Sequence, residues 1–147
     1  MKYKAEGEEL RVESKNCRIV KFRFENLEIW QRSVDIARKL FKIADSLETK
    51  KLYRFADQLR GAGLSMSNNI AEGSGSTSKK EFVQFLNIAR RSTFENANMI
   101  IIFSKEKLIS EDVKDEIIQD LDGLCRMITA FSRTLNSQPS ALSPINP

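Results

Sequence analysis

The chain is expected to be all-α, an antiparallel up-down-up-down four-helix bundle with a charged N-terminal arm, and oligomeric. Three observations predict this. Apolar residues recur at three- and four-residue spacing through four long segments; that period belongs to a helix with one buried side. The stretch Ser65 to Phe82, SMSNNIAEGSGSTSKKEF, ends one such segment and opens the next through a glycine turn, which makes a helical hairpin. A length of 147 residues suits one core without disulfides or metal.

Residues 1–23 read as a charged arm, in which Arg18 to Phe24 (RIVKFRF) alternates and has strand character. Residues 24–136 read as the bundle and 137–147 as a loose tail, because all three prolines lie beyond Asn136.

Helix one is expected from Asn26 to Leu47. Leu27, Trp30, Val34, Ala37, Phe41 and Ala44 form one apolar row, and Ile29, Ile36, Leu40, Ile43 and Leu47 form a second beside it. Two rows give a surface wider than one seam needs, so this helix should touch partners on two sides.

Helix two is expected from Thr49 or Lys50 to Glu72, with Leu52, Phe55, Leu59, Gly63, Met66 and Ile70 inward and Gly73 as its stop. Gly61 and Gly63 each cost helix stability, about 1 kcal/mol relative to alanine, and close helix approach is the simplest reason for them.

Ser78 to Glu81 has capping-box spacing and starts helix three. Its seam is Phe82, Leu86, Ala89, Thr93, Asn96, Ile100 and Phe103, and Lys105 and Lys107 suit the negative end of its dipole. Ser110 caps helix four ahead of Glu111 and Asp112. The seam of helix four is Val113, Ile117, Leu121, Leu124, Ile128, Phe131 and Leu135.

No apolar run approaches the roughly 20 residues of a membrane span, and the N-terminus lacks the apolar core of a secretory signal, so a cytoplasmic location is expected. Cys17 and Cys125 are far apart and there is no histidine. Neither a zinc site nor a nucleophile-base pair can be assembled from that inventory, so no metal or cofactor is expected. Cys125 falls in an apolar helical segment and reads as a small hydrophobe.

The net charge is +4 and unevenly spread. Residues 49–76 carry +2 and residues 77–110 carry +3, whereas residues 111–147 carry −3. Basic middle helices beside an acidic last helix can bind polyanions or mate one subunit with another.

The candidate nucleic-acid contacts are Lys50, Lys51, Arg54 and Arg60 on helix two with Lys79, Lys80, Arg90 and Arg91 on helix three. Opposite the helix-three seam, Lys80, Gln84, Asn87, Arg91 and Asn98 form a polar row with positive and no negative charge. A phosphate backbone is attracted to such a row, although most charge runs are merely solvated faces. Phe82, Phe85, Phe94, Phe103 and Trp30 fall on or beside apolar stripes and read as core rather than stacking platforms.

Ser65, Asn68, Asn69 and Glu72, with Thr93, Glu95 and Asn96, form a polar cluster at three-four spacing. Its carboxylates admit an acid-base reading, but mutually satisfied buried groups that fix helix register explain it better. No enzyme is expected. The Gly73-Ser74-Gly75 turn is no P-loop, since it is too short and follows a helix instead of a strand.

The chain resembles the four-helix-bundle proteins encoded by intervening sequences of bacterial 23S ribosomal RNA genes. The resemblance rests on Phe24-Glu25-Asn26-Leu27-Glu28-Ile29-Trp30-Gln31, on Gln58-Leu59-Arg60 with Ser65, on Asn69-Ile70-Ala71-Glu72-Gly73, and on Glu81-Phe82 with Phe85-Leu86 and Ala89. It spans Phe24 to Phe131. Similar proteins include the accessory variability protein of diversity-generating retroelements, a basic homopentamer that works with a reverse transcriptase and RNA. The resemblance therefore implies a homopentamer that binds RNA or DNA, with a reverse transcriptase or ribosomal RNA as partners. Relatives often carry a basic residue where Ser76 stands and leucine where Thr93 and Asn96 stand, and the arm before Phe24 looks like an addition. The alternative is a protein-interaction scaffold whose charged faces serve subunit assembly and a protein partner, without nucleic acid.

Overall fold

The structure, a computed structural model, describes residues 2–5, 8–11 and 19–138. Strands β1 (Lys2–Ala5) and β2 (Glu8–Arg11) pair antiparallel, with Lys2 opposite Arg11 and Tyr3 opposite Leu10. A 3-10 turn at Arg23–Asn26 precedes α1 (Glu28–Thr49), α2 (Tyr53–Ser74), α3 (Lys79–Lys105) and α4 (Glu111–Ser137). Four helices around one core make a four-helix bundle.

The expected strand at Arg18–Phe24 is not formed. Arg18 lies outside the described residues, Ile19–Phe22 has no regular structure, and the 3-10 turn begins at Arg23. The local reason is a side-chain clamp: the Phe22 amide donates to Glu25 Oε1 at 2.7 Å, and Gln31 Nε2 donates to the Glu25 carbonyl at 2.8 Å. The expected tail starts inside α4, and its residues beyond 138 lie outside the described residues.

Residue numbers rise along one helix as they fall along its neighbour. Between α2 and α3, Gly73 meets Phe82 and Phe85, Ser65 Oγ lies 2.9 Å from Ser92 Oγ, Asn96 Nδ2 donates to the Ala62 carbonyl at 2.8 Å, and the Phe55 ring lies tilted against Phe103 at 5.7 Å. Arg60 reaches back to Asp45 and Glu48 on α1. Phe82 meets Phe131 edge-on at 5.6 Å, joining α3 to α4. The α1/α4 seam carries ion pairs from Arg32 to Asp120 at 2.6 Å and from Lys39 to Glu116 at 2.5 Å and Asp120 at 2.7 Å.

Of the two apolar rows on α1, the second is wholly buried, Ile29, Ile36, Leu40, Ile43 and Leu47, and only Ala37 and Ala44 of the first join it. The residues of the second row pack with Leu59, Met66 and Ile70, with Leu86, Ile100 and Phe103, and with Ile117, Leu121, Leu124 and Ile128. Each such side chain contributes about 1.5–3 kcal/mol by leaving water. Leu27, Trp30, Val34 and Phe41 are half-buried beside that core. Two expected seam residues face outward, Phe55 at 43% exposure and Val113 at 37%.

Helix two begins at Tyr53 rather than at Thr49 or Lys50, because Lys51 adopts φ 60° and breaks the helical path. The Lys51 amide donates to the Glu48 carbonyl and the Leu52 amide to the Leu47 carbonyl. That pair of bonds is a Schellman ending, with Leu52 packing back toward the helix. Helix three ends the same way at Lys107, φ 58°, with Lys107 to Ser104 and Leu108 to Phe103. A side chain in this conformation costs about 1–2 kcal/mol.

Gly73 does not stop α2, which runs on through Ser74. Its missing side chain makes room for Phe82 and Phe85. Gly63 has a similar role against Leu40, where an added Cβ would lie 3.3 Å from Cδ1, but Gly61 faces open space and needs no close approach. The caps on α3 and α4 form as local chemistry dictates: Ser78 Oγ accepts the Glu81 amide at 3.1 Å and Ser110 Oγ accepts the Val113 amide at 3.2 Å.

Candidate nucleic-acid interface

Helix α3 turns its apolar seam toward α2 and α4, so positions half a turn away must face water. Lys80, Gln84, Asn87, Arg91 and Asn98 are all exposed there. Among the described residues, no ion pair involves Lys80 or Arg91. Lys79 is exposed at the first turn, near the 3-10 segment and α4. Arg90 is half-buried and differs from its neighbour, because its guanidinium sits 5.6 Å from the centre of the Phe94 ring in a cation-π contact.

The eight candidate cations do not form one patch. Lys50 and Lys51 lie in the α1–α2 turn rather than on α2, and Lys50 Nζ donates to the Leu108 carbonyl at 3.0 Å. Arg54 is exposed at the start of α2. Arg60 is committed within the chain: it bonds Glu48 and Asp45 at 2.6 Å each, with Asp57 at 3.8 Å. The hydrogen bonds it donates to those carboxylates hold its guanidinium above the ordinary arginine range, with Glu48 contributing most. A guanidinium so occupied is removed from the candidate contacts. Sequence reading missed Lys105 and Lys107 as surface cations, having assigned them to the helix dipole. The available signal was the Lys-Leu pair that closes both turns, Lys51-Leu52 and Lys107-Leu108.

The polar cluster is smaller than expected and differently composed. Asn69 Nδ2 donates to the Ser65 carbonyl at 2.7 Å and to Ser65 Oγ at 3.1 Å, and Ser65 meets Ser92. Asn96 is fully buried and donates to the carbonyls of Ala62 and Ser92, both at 2.8 Å, while its Oδ1 has no partner. Glu72 and Glu95 stand outside this cluster, each exposed on its own helix. They extend to solvent because the buried seam is already filled by uncharged groups, and a carboxylate there would need a cation. Glu72 instead lines an open groove of about 760 Å³ with Phe22, Arg23, Phe24 and Asn68, where the Arg23 guanidinium donates to the Ser74 carbonyl.

Most of the aromatic side chains pack as core or flank, Trp30 against Phe24 at 5.2 Å among them. Phe94 is the correction: it is 60% exposed at the mouth of an α3/α4 groove with Thr93, Ala97, Ile118 and Cys125. Cys125 is half-buried there, and Cys17 lies outside the described residues. Among the described residues, no group of three or more Cys, Asp or Glu is placed to hold a metal ion, and no helix is long and apolar enough to cross a membrane.

These features define a small four-helix bundle with a cationic, polar outer row on its third helix. The chain belongs to the 23S rRNA-intervening sequence protein family, whose model matches residues 25–130. Its fold is similar to the crystal structure of a protein with unknown function from the S23 ribosomal protein family of Bacteroides thetaiotaomicron. That likeness has a TM-score of 0.68 at 18% identity, over 71% of this chain and 98% of the other. No curated protein matches the sequence.

Proposed function

We propose that the chain is a non-enzymatic, cytoplasmic, homo-oligomeric bundle that binds the phosphate backbone of RNA or DNA, as an accessory to an RNA-processing or reverse-transcription assembly. The observation that carries this reading is the outer row of α3, where Lys80 and Arg91 are exposed beside uncharged Gln84, Asn87 and Asn98 and, among the described residues, make no ion pair, even with the exposed Glu95 one turn beyond Arg91. Unpaired surface cations release the counterions of a polyanion on binding, and that release supplies sequence-independent affinity. An antiparallel bundle repeated about a symmetry axis, five-fold in the relatives it resembles, would add these rows into one field. Ribosomal RNA and a reverse transcriptase are the partners the resemblance implies.

Titration with structured RNA and duplex DNA at two salt concentrations tests the proposal. Affinity that falls steeply with salt, and falls further in the Lys80→Gln/Arg91→Gln variant with folding intact, supports it. Absent or salt-independent binding rejects it.

A second reading rests on a different observation. Phe94 (60% exposed), Ile101 (40%) and Ile102 (45%) leave apolar surface uncovered on α3, which favours contact with another protein or another subunit. Partners that stay bound after nuclease treatment favour this scaffold reading over the first.

A further inference from the structure

Both turns at one end of the bundle hold a lysine in the left-handed backbone region, Lys51 and Lys107. Glycine is the usual residue at that position of a helix ending, because a Cβ is strained there. The helix dipole does not explain the choice. Lys50 at the end of α1 and Lys105 in the last turn of α3 already place cations at those termini with negative φ or helical backbone.

The two turns adjoin, joined by the Lys50 bond to the Leu108 carbonyl and by the Phe55–Phe103 contact. They gather Lys50, Lys51, Arg54, Lys105 and Lys107 at one end. The carboxylates nearby are mostly occupied: Asp45 and Glu48 by Arg60, and Glu111 by Lys114 and Ser104. Among the described residues, no ion pair involves Lys51, Arg54 or Lys107. Glu106 is the one acidic residue within the two turns themselves. A cleft of about 640 Å³ opens here beside Ser104, Lys105, Lys107 and Ser110, with Glu111 on its wall.

We infer that this end is a phosphate-contacting site for the nucleic acid, and that Lys51 and Lys107 occupy strained turns because their charge is needed there. The inference rests on the nucleic-acid reading above and moves its main contact from the flank of α3 to the end of the bundle. The chemistry recognised is the phosphodiester, common to RNA and DNA.

Replacing both lysines by glycine separates strain from charge. In Lys51→Gly/Lys107→Gly the thermal midpoint should rise by several degrees while affinity for short duplex RNA and duplex DNA falls. With two phosphate contacts removed, the slope of log affinity against log salt should become shallower by about two. Lys51→Asn/Lys107→Asn, using the other residue that tolerates this backbone, should weaken binding equally. Weakening confined to one polymer supports the site and names that polymer. Unchanged affinity and slope in both variants, with the unaltered chain binding normally, overturns the site and leaves the functional reading standing. A midpoint that falls in both variants overturns the strain argument. No binding by the unaltered chain at low salt removes both proposals.

Discussion

A Cβ placed on Gly73 would sit 2.6 Å from Cβ of Phe85 and 2.8 Å from Cδ2 of Phe82, so the α2/α3 hairpin closes on a glycine with no room to spare. The obstructing Phe85 atom is attached to the backbone and cannot swing aside. Gly73→Ala should therefore destabilise the protein by about 1–3 kcal/mol despite alanine's better helix propensity. Gly61→Ala, with nothing within 4 Å of the added atom, should stabilise it by about 0.5–1 kcal/mol. Denaturant unfolding of the two variants checks both signs; a Gly73→Ala protein as stable as the parent contradicts the packing account.

Asn96 is the buried group with most to lose. Both of its amide hydrogens serve carbonyls, of Ala62 and Ser92, and its Oδ1 stays unpaired. Asn96→Asp keeps the shape but turns donors into acceptors facing those carbonyls. It should cost about 3 kcal/mol near neutral pH. Burial would raise the new carboxyl's pKa above its unfolded value, so the loss should shrink below the ordinary carboxylate range and grow as pH rises through it. Stability measured at acidic and neutral pH tests this, and a pH-independent loss would rule it out.

Glu111 predicts the opposite trend. Its carboxyl accepts from Lys114 and Ser104, and the Lys114 hydrogen bond, the larger cause, holds its pKa below the ordinary carboxylate value. A depressed folded pKa stabilises the protein above the unfolded pKa and ceases to do so as pH falls through the folded one. Glu111→Gln should flatten the acid limb of the stability curve by lowering stability modestly at neutral pH while altering it little in acid, where the carboxyl is protonated in both states. A variant with an unchanged acid limb would contradict the assignment.

Arg60 and Arg91 provide a matched pair on the surface. Arg60 is held by Asp45 and Glu48, whereas Arg91 makes no ion pair among the described residues. Arg60→Gln should leave nucleic-acid affinity unchanged and Arg91→Gln should weaken it. Equal losses from both would contradict the division into committed and available cations.

How far the sequence could be read follows from the range of each interaction. The serine caps at Ser78 and Ser110 were legible because cap and amide lie three residues apart. The row Ile29, Ile36, Leu40, Ile43 and Leu47 was legible because periodicity alone defines a face. The α1–α2 boundary was not, since its turn uses Lys51 where the familiar signal is glycine. The ion pairs of Arg60 were not legible for a related reason: its partners Asp45 and Glu48 belong to another helix and meet it only once the hairpin folds. Phe94 follows the apolar content of α3, yet its angle on the helix carries it to the rim. Gly73 was visible as a glycine, but its neighbour Phe85 was needed to show that it makes space rather than a stop.

The most direct test is the salt dependence of binding by the unaltered chain, measured by fluorescence anisotropy of a short labelled duplex RNA between about 50 mM and about 200 mM salt. The account predicts a linear fall of log affinity with log salt, with a slope of about −3 or steeper. A flat line, or no binding at the lowest salt, would contradict it.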